Sequence, residues 1–438
     1  MKKIIGIRKE TKYASERRVA ITPEHAKKIV SEHNIEIHVQ PSQQRIFHDS
    51  EYVEAGAKLT DDLSGCDFIF GVKEVPIEDM IENKPYLFFS HTIKAQAYNM
   101  PLLKAILEKK ITLFDYELVK NEKGQRLIFF GRFAGYAGTI DSLWLLGQKY
   151  LSEGIETPFT KIKQAIDYNS LEEAKEAVKS VGEEIKRNGL PEEITPVITG
   201  FTGYGNVSKG AQSIYDLLPV EELKASELDN FVKAGNFSPK AVYKIEFKEV
   251  DMYEHTVGSD DFDFNYFVNH PAEYKSIFKQ YLPNLTMLIN GIYWAPEFER
   301  HVTKQSMKEI YSQDQSPKLK VIGDITCDIG GSIEMTVKAT KSSNPCYVYE
   351  PLTGKIIDGW KGNGPVILAV DILPAELPRE SSKSFGDELF PFIPALANAD
   401  YSKPFEELNL PKEFKHAIIA HKGRLTEDFN YLEEHLPD

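Results

Sequence analysis

Residues 195–211 read Thr195-Pro196-Val197-Ile198-Thr199-Gly200-Phe201-Thr202-Gly203-Tyr204-Gly205-Asn206-Val207-Ser208-Lys209-Gly210-Ala211. A short β-branched run enters a glycine cluster. A helical apolar face leaves it, through Val207, Ala211, Ile214 and Leu218. Strand, glycine turn and helix together bind a dinucleotide pyrophosphate. Glycines let backbone N–H groups approach the phosphates, and the helix N-terminus supplies positive dipole. Gly203, Gly205, Asn206, Val207 and Ser208 are therefore the cofactor-binding candidates. The pattern G-x-G-x-x-G asks for glycine at 208, where Ser208 stands. Serine is small enough for close helix packing, and its hydroxyl could meet a phosphate.

Nearly two hundred residues precede this loop, and they alternate strand and helix patterns. Lys3 to Ile7, Glu36 to Val39, Phe68 to Val72, Tyr86 to Phe89 and Ile111 to Phe114 read as strands. Thr22-Pro23 opens one intervening helix and Pro101 another. Alternation of this kind predicts an α/β protein with two Rossmann-like domains built on parallel sheets. A long apolar helix from Gly138 to Tyr150 reads as the connector, and helices are expected over 384–398 and 413–435. The expected division is a discontinuous substrate or catalytic domain, 1–137 with 346–438, around a dinucleotide-binding domain, 138–345. The active-site cleft is expected between them.

Carboxyl ends of strands in an open parallel sheet face the ligand crevice. Lys73 follows the apolar run ending at Val72, and His91 follows Phe88-Phe89-Ser90. Both are acid–base types that titrate near neutrality when suitably placed. Arg17 and Arg18 follow the first strand and could clamp a carboxylate. Late in the chain, Gly323-Asp324-Ile325-Thr326-Cys327-Asp328 puts two aspartates after a strand. The acid that holds an adenine ribose is expected at the end of the strand after the glycine loop, Val220 to Leu223. Lys224 and Ser226 stand there instead, which suits a 2′-phosphate and hence NADP, with NAD as the alternative.

Bulk properties narrow the class. The chain of 438 residues carries a formal net charge of -14, which argues against non-specific nucleic-acid binding. No uninterrupted apolar run would span a bilayer. Ile4 to Ile7 is too short for a signal-peptide core, so a soluble protein without a transit segment is expected. Three widely spaced cysteines make neither a disulfide framework nor a zinc site, and a reduced, cytoplasmic compartment follows as the expectation. Residues 244–274 read as a solvated, aspartate-rich loop. Asp260, Asp261 and Asp263 lack the spacing of a calcium loop.

The motifs converge on one family resemblance. Arg8-Lys9-Glu10 with Glu16-Arg17-Arg18-Val19-Ala20-Ile21-Thr22-Pro23 resembles the opening of the alanine dehydrogenase, transhydrogenase and saccharopine dehydrogenase superfamily. Ser90-His91-Thr92-Ile93-Lys94, Gly131-Arg132-Phe133-Ala134-Gly135-Tyr136-Ala137-Gly138, Asn290-Gly291-Ile292-Tyr293-Trp294-Ala295-Pro296 and Pro378-Arg379-Glu380-Ser381-Ser382 narrow it. Together they resemble the lysine–2-oxoglutarate reductase domain of the aminoadipic semialdehyde synthase type, over about residues 7–400. Ser208 belongs to that family's loop. The resemblance implies reduction by NADPH of the imine formed between lysine and 2-oxoglutarate, giving saccharopine. It implies Lys73 and His91 as acid–base groups, Glu74 and Glu117 as acids that tune them, and Arg18, Lys94 and Arg126 as substrate contacts. Asp328 is implied near the nicotinamide, with Asp324 beside the cofactor. The saccharopine-cleaving activity of that family is expected on a separate polypeptide, and an oligomer is possible. NAD-dependent, lysine-forming saccharopine dehydrogenase, alanine dehydrogenase and a non-catalytic dinucleotide-binding module are the competing readings.

Overall fold

The computed structural model describes residues 2–257, 262–314 and 316–437. They form two compact units, Met1–Phe130 with Pro378–Asp438, and Gly131–Leu377. The first unit begins with six parallel strands: β1 (Ile4–Ile7), β2 (Glu36–Val39), β3 (Lys58–Leu59), β4 (Phe68–Phe70), β5 (Pro85–Phe88) and β6 (Thr112–Asp115). Helix α1 (Pro23–His33) starts where expected, with the Thr22 side chain accepting from the His25 amide. Helix α2 (Met100–Glu108) connects β5 to β6. Strands buried on both faces have to be apolar throughout. Phe68 and Phe70 accordingly enter one core with Ile5, Ile7 and Leu87, while Ile69 enters the other with Tyr86 and Phe88.

The second unit opens on helix α3 (Gly131–Ser152), whose Ala137, Ile140, Leu143, Leu145 and Leu146 are all fully buried. The expected connector is therefore longer than its apolar run, and it is a core helix of this unit. Helix α4 (Leu171–Asn188) is capped by Ser170. Strand β7 (Ile198–Thr202), the glycine loop and helix α5 (Asn206–Tyr215) follow as read from the sequence. Next come β8 (Val220–Glu222), β9 (Val242–Phe247) and a small antiparallel pair, β10 (Tyr253–His255) with β11 (Tyr274–Ser276). The expected solvated loop over 244–274 thus contains a strand end, a hairpin-like pair and helix α6 (Phe264–Asn269). Asp263 caps that helix, whereas Asp260 and Asp261 lie outside the described residues. Strands β12 (Met287–Asn290), β13 (Val321–Asp324), β14 (Cys346–Tyr349), β15 (Ile356–Asp358) and β16 (Val366–Leu368) complete the sheet. Its order is β15-β14-β16-β13-β12-β7-β9-β8.

The expected boundary at 346 is corrected by this pairing. Strand β16 lies parallel to β13, and β14 antiparallel to β16, so residues up to 377 are held in the second sheet. The chain re-enters the first unit with α7 (Pro378–Leu389) and α8 (Ile393–Asn398), separated by Phe390–Phe392. The helix expected over 413–435 is interrupted: only Lys412–Lys415 and a 3-10 stretch, Glu427–His435, are helical. The β-branched run Ile418-Ile419 forms β17 (Ile418–His421), antiparallel to β6, and turns at Lys422-Gly423 into β18 (Arg424–Leu425). The first sheet then reads β18-β17-β6-β5-β4-β1-β2-β3. Among the described residues, no helix is long and apolar enough to cross a membrane.

The second unit also buries two carboxyl groups side by side. Asp141, on α3, is fully buried, and Glu376 is 2% exposed. Asp141 accepts the Ala165 amide at 2.7 Å, while both Glu376 oxygens and the other Asp141 oxygen are buried without a hydrogen-bond partner. Burial first, and the neighbouring acid second, push Asp141 well above the carboxylate range; burial raises Glu376 as well. A carboxyl whose folded pKa is raised stabilises most below its unfolded value of about 4. That contribution is lost as pH rises toward the folded value. Asp141→Asn should therefore flatten the decline of melting temperature from pH 4 upward. Parallel melting curves for variant and wild type across that range would rule this out.

Candidate active site and dinucleotide loop

In the first sheet the strand order reverses between β1 and β4, and their carboxyl ends define the crevice of a doubly wound fold. Glu10 follows β1. It is buried, and its two oxygens accept the amides of Val72 and Lys73 at 2.8 and 2.9 Å. The backbone that carries Lys73 is thus pinned by a carboxylate 63 residues earlier in the chain. Asp115, the last residue of β6, does the same for the neighbour of His91 beyond β5. It accepts the Ser90 amide at 2.8 Å and the Ser90 hydroxyl at 2.5 Å. Burial raises the pKa of both Glu10 and Asp115.

His91 itself sits in the left-handed region, with φ of 53°. A bulky residue is strained there, and such strain concentrates at functional sites. Two contacts hold it. The Asn99 side chain donates to the His91 carbonyl at 2.9 Å, and Glu74 Oε1 lies 2.8 Å from His91 Nδ1. Glu74 Oε1 also pairs with the Lys12 ammonium. Burial of Glu74 works against ionisation, but the hydrogen bonds from His91 and Lys12 outweigh it and bring the carboxyl down to about 2. An ionised Glu74 can only accept, so the proton lies on Nδ1. The neutral ring then presents its lone pair at Nε2. Lys73 is half-buried, and its positive charge helps to lower Glu16.

Several expected roles change here. Arg18 is 3% exposed. Its Nε and Nη2 pair with the two Glu16 oxygens at 2.7 and 2.5 Å, and its guanidinium lies 4.1 Å from the Phe130 ring centroid. The Nε–Nη2 edge of its fork is therefore engaged by Glu16. Glu117 pairs with Arg126 at 3.3 Å, and the acid on His91 is Glu74. Arg17 is half-buried and Lys94 exposed. Glu10, Lys12 and Glu16 were missed by sequence reasoning. Their only signal was membership of the motif over residues 8–23.

In the second unit the reversal lies between β7 and β12. Gly203 follows β7 with φ of 82°, and a Cβ there would stand 3.1 Å from the Ile292 backbone. Gly205 begins α5 without any side-chain cap on the first turn. The amides of Asn206, Val207 and Ser208 are therefore available to an anion, and the loop fits a pyrophosphate. Ser208 is 1% exposed, and its hydroxyl accepts from Gln212 at 3.1 Å, which braces the helix and leaves the O–H as a donor. The third glycine's packing role falls to Gly210. A Cβ at 210 would meet the Arg132 carbonyl of α3 at 2.2 Å, and one at Gly135 the Val207 carbonyl at 2.1 Å.

Asp324, expected beside the cofactor, is engaged within the sheet. It is 1% exposed and accepts from Asn290 at 2.8 Å, Thr326 at 2.7 Å and Thr336 at 2.5 Å. Burial raises its pKa. It ties the ends of β12 and β13 together. Asp328 is exposed beyond it. Lys224 and Ser226 are exposed and line a cavity of about 390 Å³ with Glu246 and Lys248. The strand beside β7 is β9, not β8, so the acid next to the glycine loop is Glu246. Glu222, on β8, is spent on Lys244 at 2.8 Å.

A carboxylate–imidazole–lysine cluster at one switch point and an uncapped glycine loop at the other are the parts of a nicotinamide-dinucleotide-dependent oxidoreductase. Residues 6–137 match the family described as alanine dehydrogenase/PNT, N-terminal domain. It is 40% identical to alpha-aminoadipic semialdehyde synthase of Arabidopsis thaliana over 98% of this chain and 41% of that protein. It is 36% identical to the mitochondrial alpha-aminoadipic semialdehyde synthase of Bos taurus, over 99% of this chain and 48% of that one. The chain thus spans less than half the length of the synthases it matches. A saccharopine dehydrogenase [NAD(+), L-lysine-forming] of Emericella nidulans is 25% identical over 92% of this chain and 94% of its own. Among solved structures, an L-alanine dehydrogenase has the same fold, with a TM-score of 0.62 at 16% identity, covering 99% of this chain and 100% of its own.

Proposed function

We propose that this chain catalyses the NADPH-dependent reductive condensation of L-lysine with 2-oxoglutarate to saccharopine. The observation that carries the proposal is the Glu74–His91 pair beside Lys73, at the carboxyl ends of adjacent strands. Attack of the lysine ε-amine on the ketone gives a carbinolamine, and loss of water gives an imine. Both steps need a proton moved at nitrogen and oxygen. Nε2 of His91 is presented for that purpose by the Nδ1 bond to Glu74. The bound dinucleotide supplies hydride to the imine carbon. Lys73, with its backbone fixed by Glu10, manages the proton on the resulting secondary amine. The substrates bring three carboxylates together, which calls for cations despite an acidic chain. Arg17, Lys94 and Arg126 supply them in this reading. The three cysteines are unpaired, which supports a reducing, cytoplasmic compartment.

Lys224 and Ser226, with Lys248 across the same cavity, support a 2′-phosphate and therefore NADP. Incubation with lysine, 2-oxoglutarate and either reduced cofactor tests the whole reading. Faster oxidation of NADPH than of NADH is expected. Lys224→Ala should raise KM for NADPH about tenfold while leaving NADH unchanged, since a charged contact is lost only to the 2′-phosphate. Equal effects on both cofactors would remove Lys224 from the site. A second reading, the NAD-dependent lysine-forming direction, is favoured by Glu246, whose carboxylate at the end of β9 suits a ribose diol. Under that reading NAD+ with saccharopine is the faster pair, and Glu246→Gln weakens NAD alone.

A further inference from the structure

The segment Gly291-Ile292-Tyr293-Trp294 stands out in the sequence, and no step proposed above uses it. It leaves β12 beside the glycine loop. Most of it is locked. Ile292 is buried against Gly203, and a Cβ on Gly291 would stand 3.1 Å from Val207. The Trp294 indole donates to the Glu299 carbonyl at 3.2 Å, and the Arg300 guanidinium lies 5.4 Å from the Trp294 ring centroid. Arg300 also donates to the Gly331 and Gly330 carbonyls at 3.0 and 2.9 Å. That ties this loop to the turn that follows Asp328. Between these fixed neighbours Tyr293 is 83% exposed, and Ile329, on the adjoining turn, is 64% exposed.

Large apolar side chains held outward by a braced loop mark a binding surface. Topology selects the occupant. In a doubly wound sheet each half holds one mononucleotide, on its own side of the switch point. Strands β9 and β8, with Lys224 and Ser226, form the adenosine side; β12 and β13 form the other. We infer that Tyr293 is a cofactor-positioning residue that packs its ring on the nicotinamide of the bound dinucleotide, and that Arg300 holds the loop which presents it.

This inference rests on the dinucleotide-binding reading, and binding measurements separate the two. The affinity of the full chain for NADPH is followed by cofactor fluorescence, and that for 2′-phospho-ADP-ribose, which lacks the nicotinamide, by calorimetry. Tyr293→Ala should weaken NADPH about tenfold, the scale of one aromatic stacking contact, and leave the nicotinamide-free fragment unchanged. Tyr293→Phe should bind both as the wild type does. Arg300→Ala should weaken NADPH with the fragment unaffected. Unchanged NADPH affinity in Tyr293→Ala, or equal loss of both ligands, would overturn the inference. Failure of the wild type to bind either ligand would instead remove the dinucleotide reading on which it stands.

Discussion

Lys73→Met is expected to lower turnover by about a thousandfold, within the range by which positioned acid–base groups act. NADPH affinity should stay near the wild-type value, because the Lys73 side chain belongs to the first unit and the dinucleotide loop to the second. Methionine keeps the length and apolar stem of lysine and removes only the ammonium. The Glu10 bonds to the Val72 and Lys73 amides involve backbone and survive the substitution. Glu16 loses one of the charges that lower it but keeps its paired bonds to Arg18. Stability should therefore change little, and the effect should appear in single-turnover rates. Wild-type turnover in Lys73→Met would end the assignment of Lys73 as a catalytic residue.

Gly210→Ala is expected to damage the second unit severely. The new Cβ would fall 2.2 Å from the Arg132 carbonyl, a backbone atom that cannot rotate away. Helices α3 and α5 would have to separate, which opens the contact between Gly135 and Val207 as well. Overpacking of this kind costs about 3 kcal/mol. For a unit of this size that lowers the melting temperature by about 10 °C. Dinucleotide affinity should fall too, since α5 carries the amides that face the pyrophosphate. A melting curve superimposable on the wild type would show that the helices have room the structure does not display.

The two cases differ in how far they could be read without a structure. Lys73 and His91 were legible because each ends an apolar run, and the rule that strand ends face the crevice is local. Glu74 as the partner of His91 came only from resemblance. The reassignment of Glu117 to Arg126, and of Arg18 to Glu16, needed coordinates. An arginine two residues from a glutamate reads the same whether its fork is spent or free. The glycine loop was legible in full, yet the meaning of Ser208 was not. Serine looked like a substitute for the third glycine, while the close approach it was meant to permit takes place at Gly210, against a helix that begins some 80 residues earlier.

Periodicity, glycine placement and strand-end chemistry are written in neighbouring residues. They determined the α/β class, the two sheets, the dinucleotide loop and the lysine–histidine pair. Strand order is a different kind of fact. That β9 lies between β7 and β8 makes Glu246 the acid beside the glycine loop, and that β14 and β16 join β13 moves the unit boundary from 346 to 378. The Ile418-Ile419 run became a strand because β6 had an open edge to pair with. Edges, partners and the burial of a carboxylate depend on which distant segments pack together, and that free energy is shared among residues no local pattern connects.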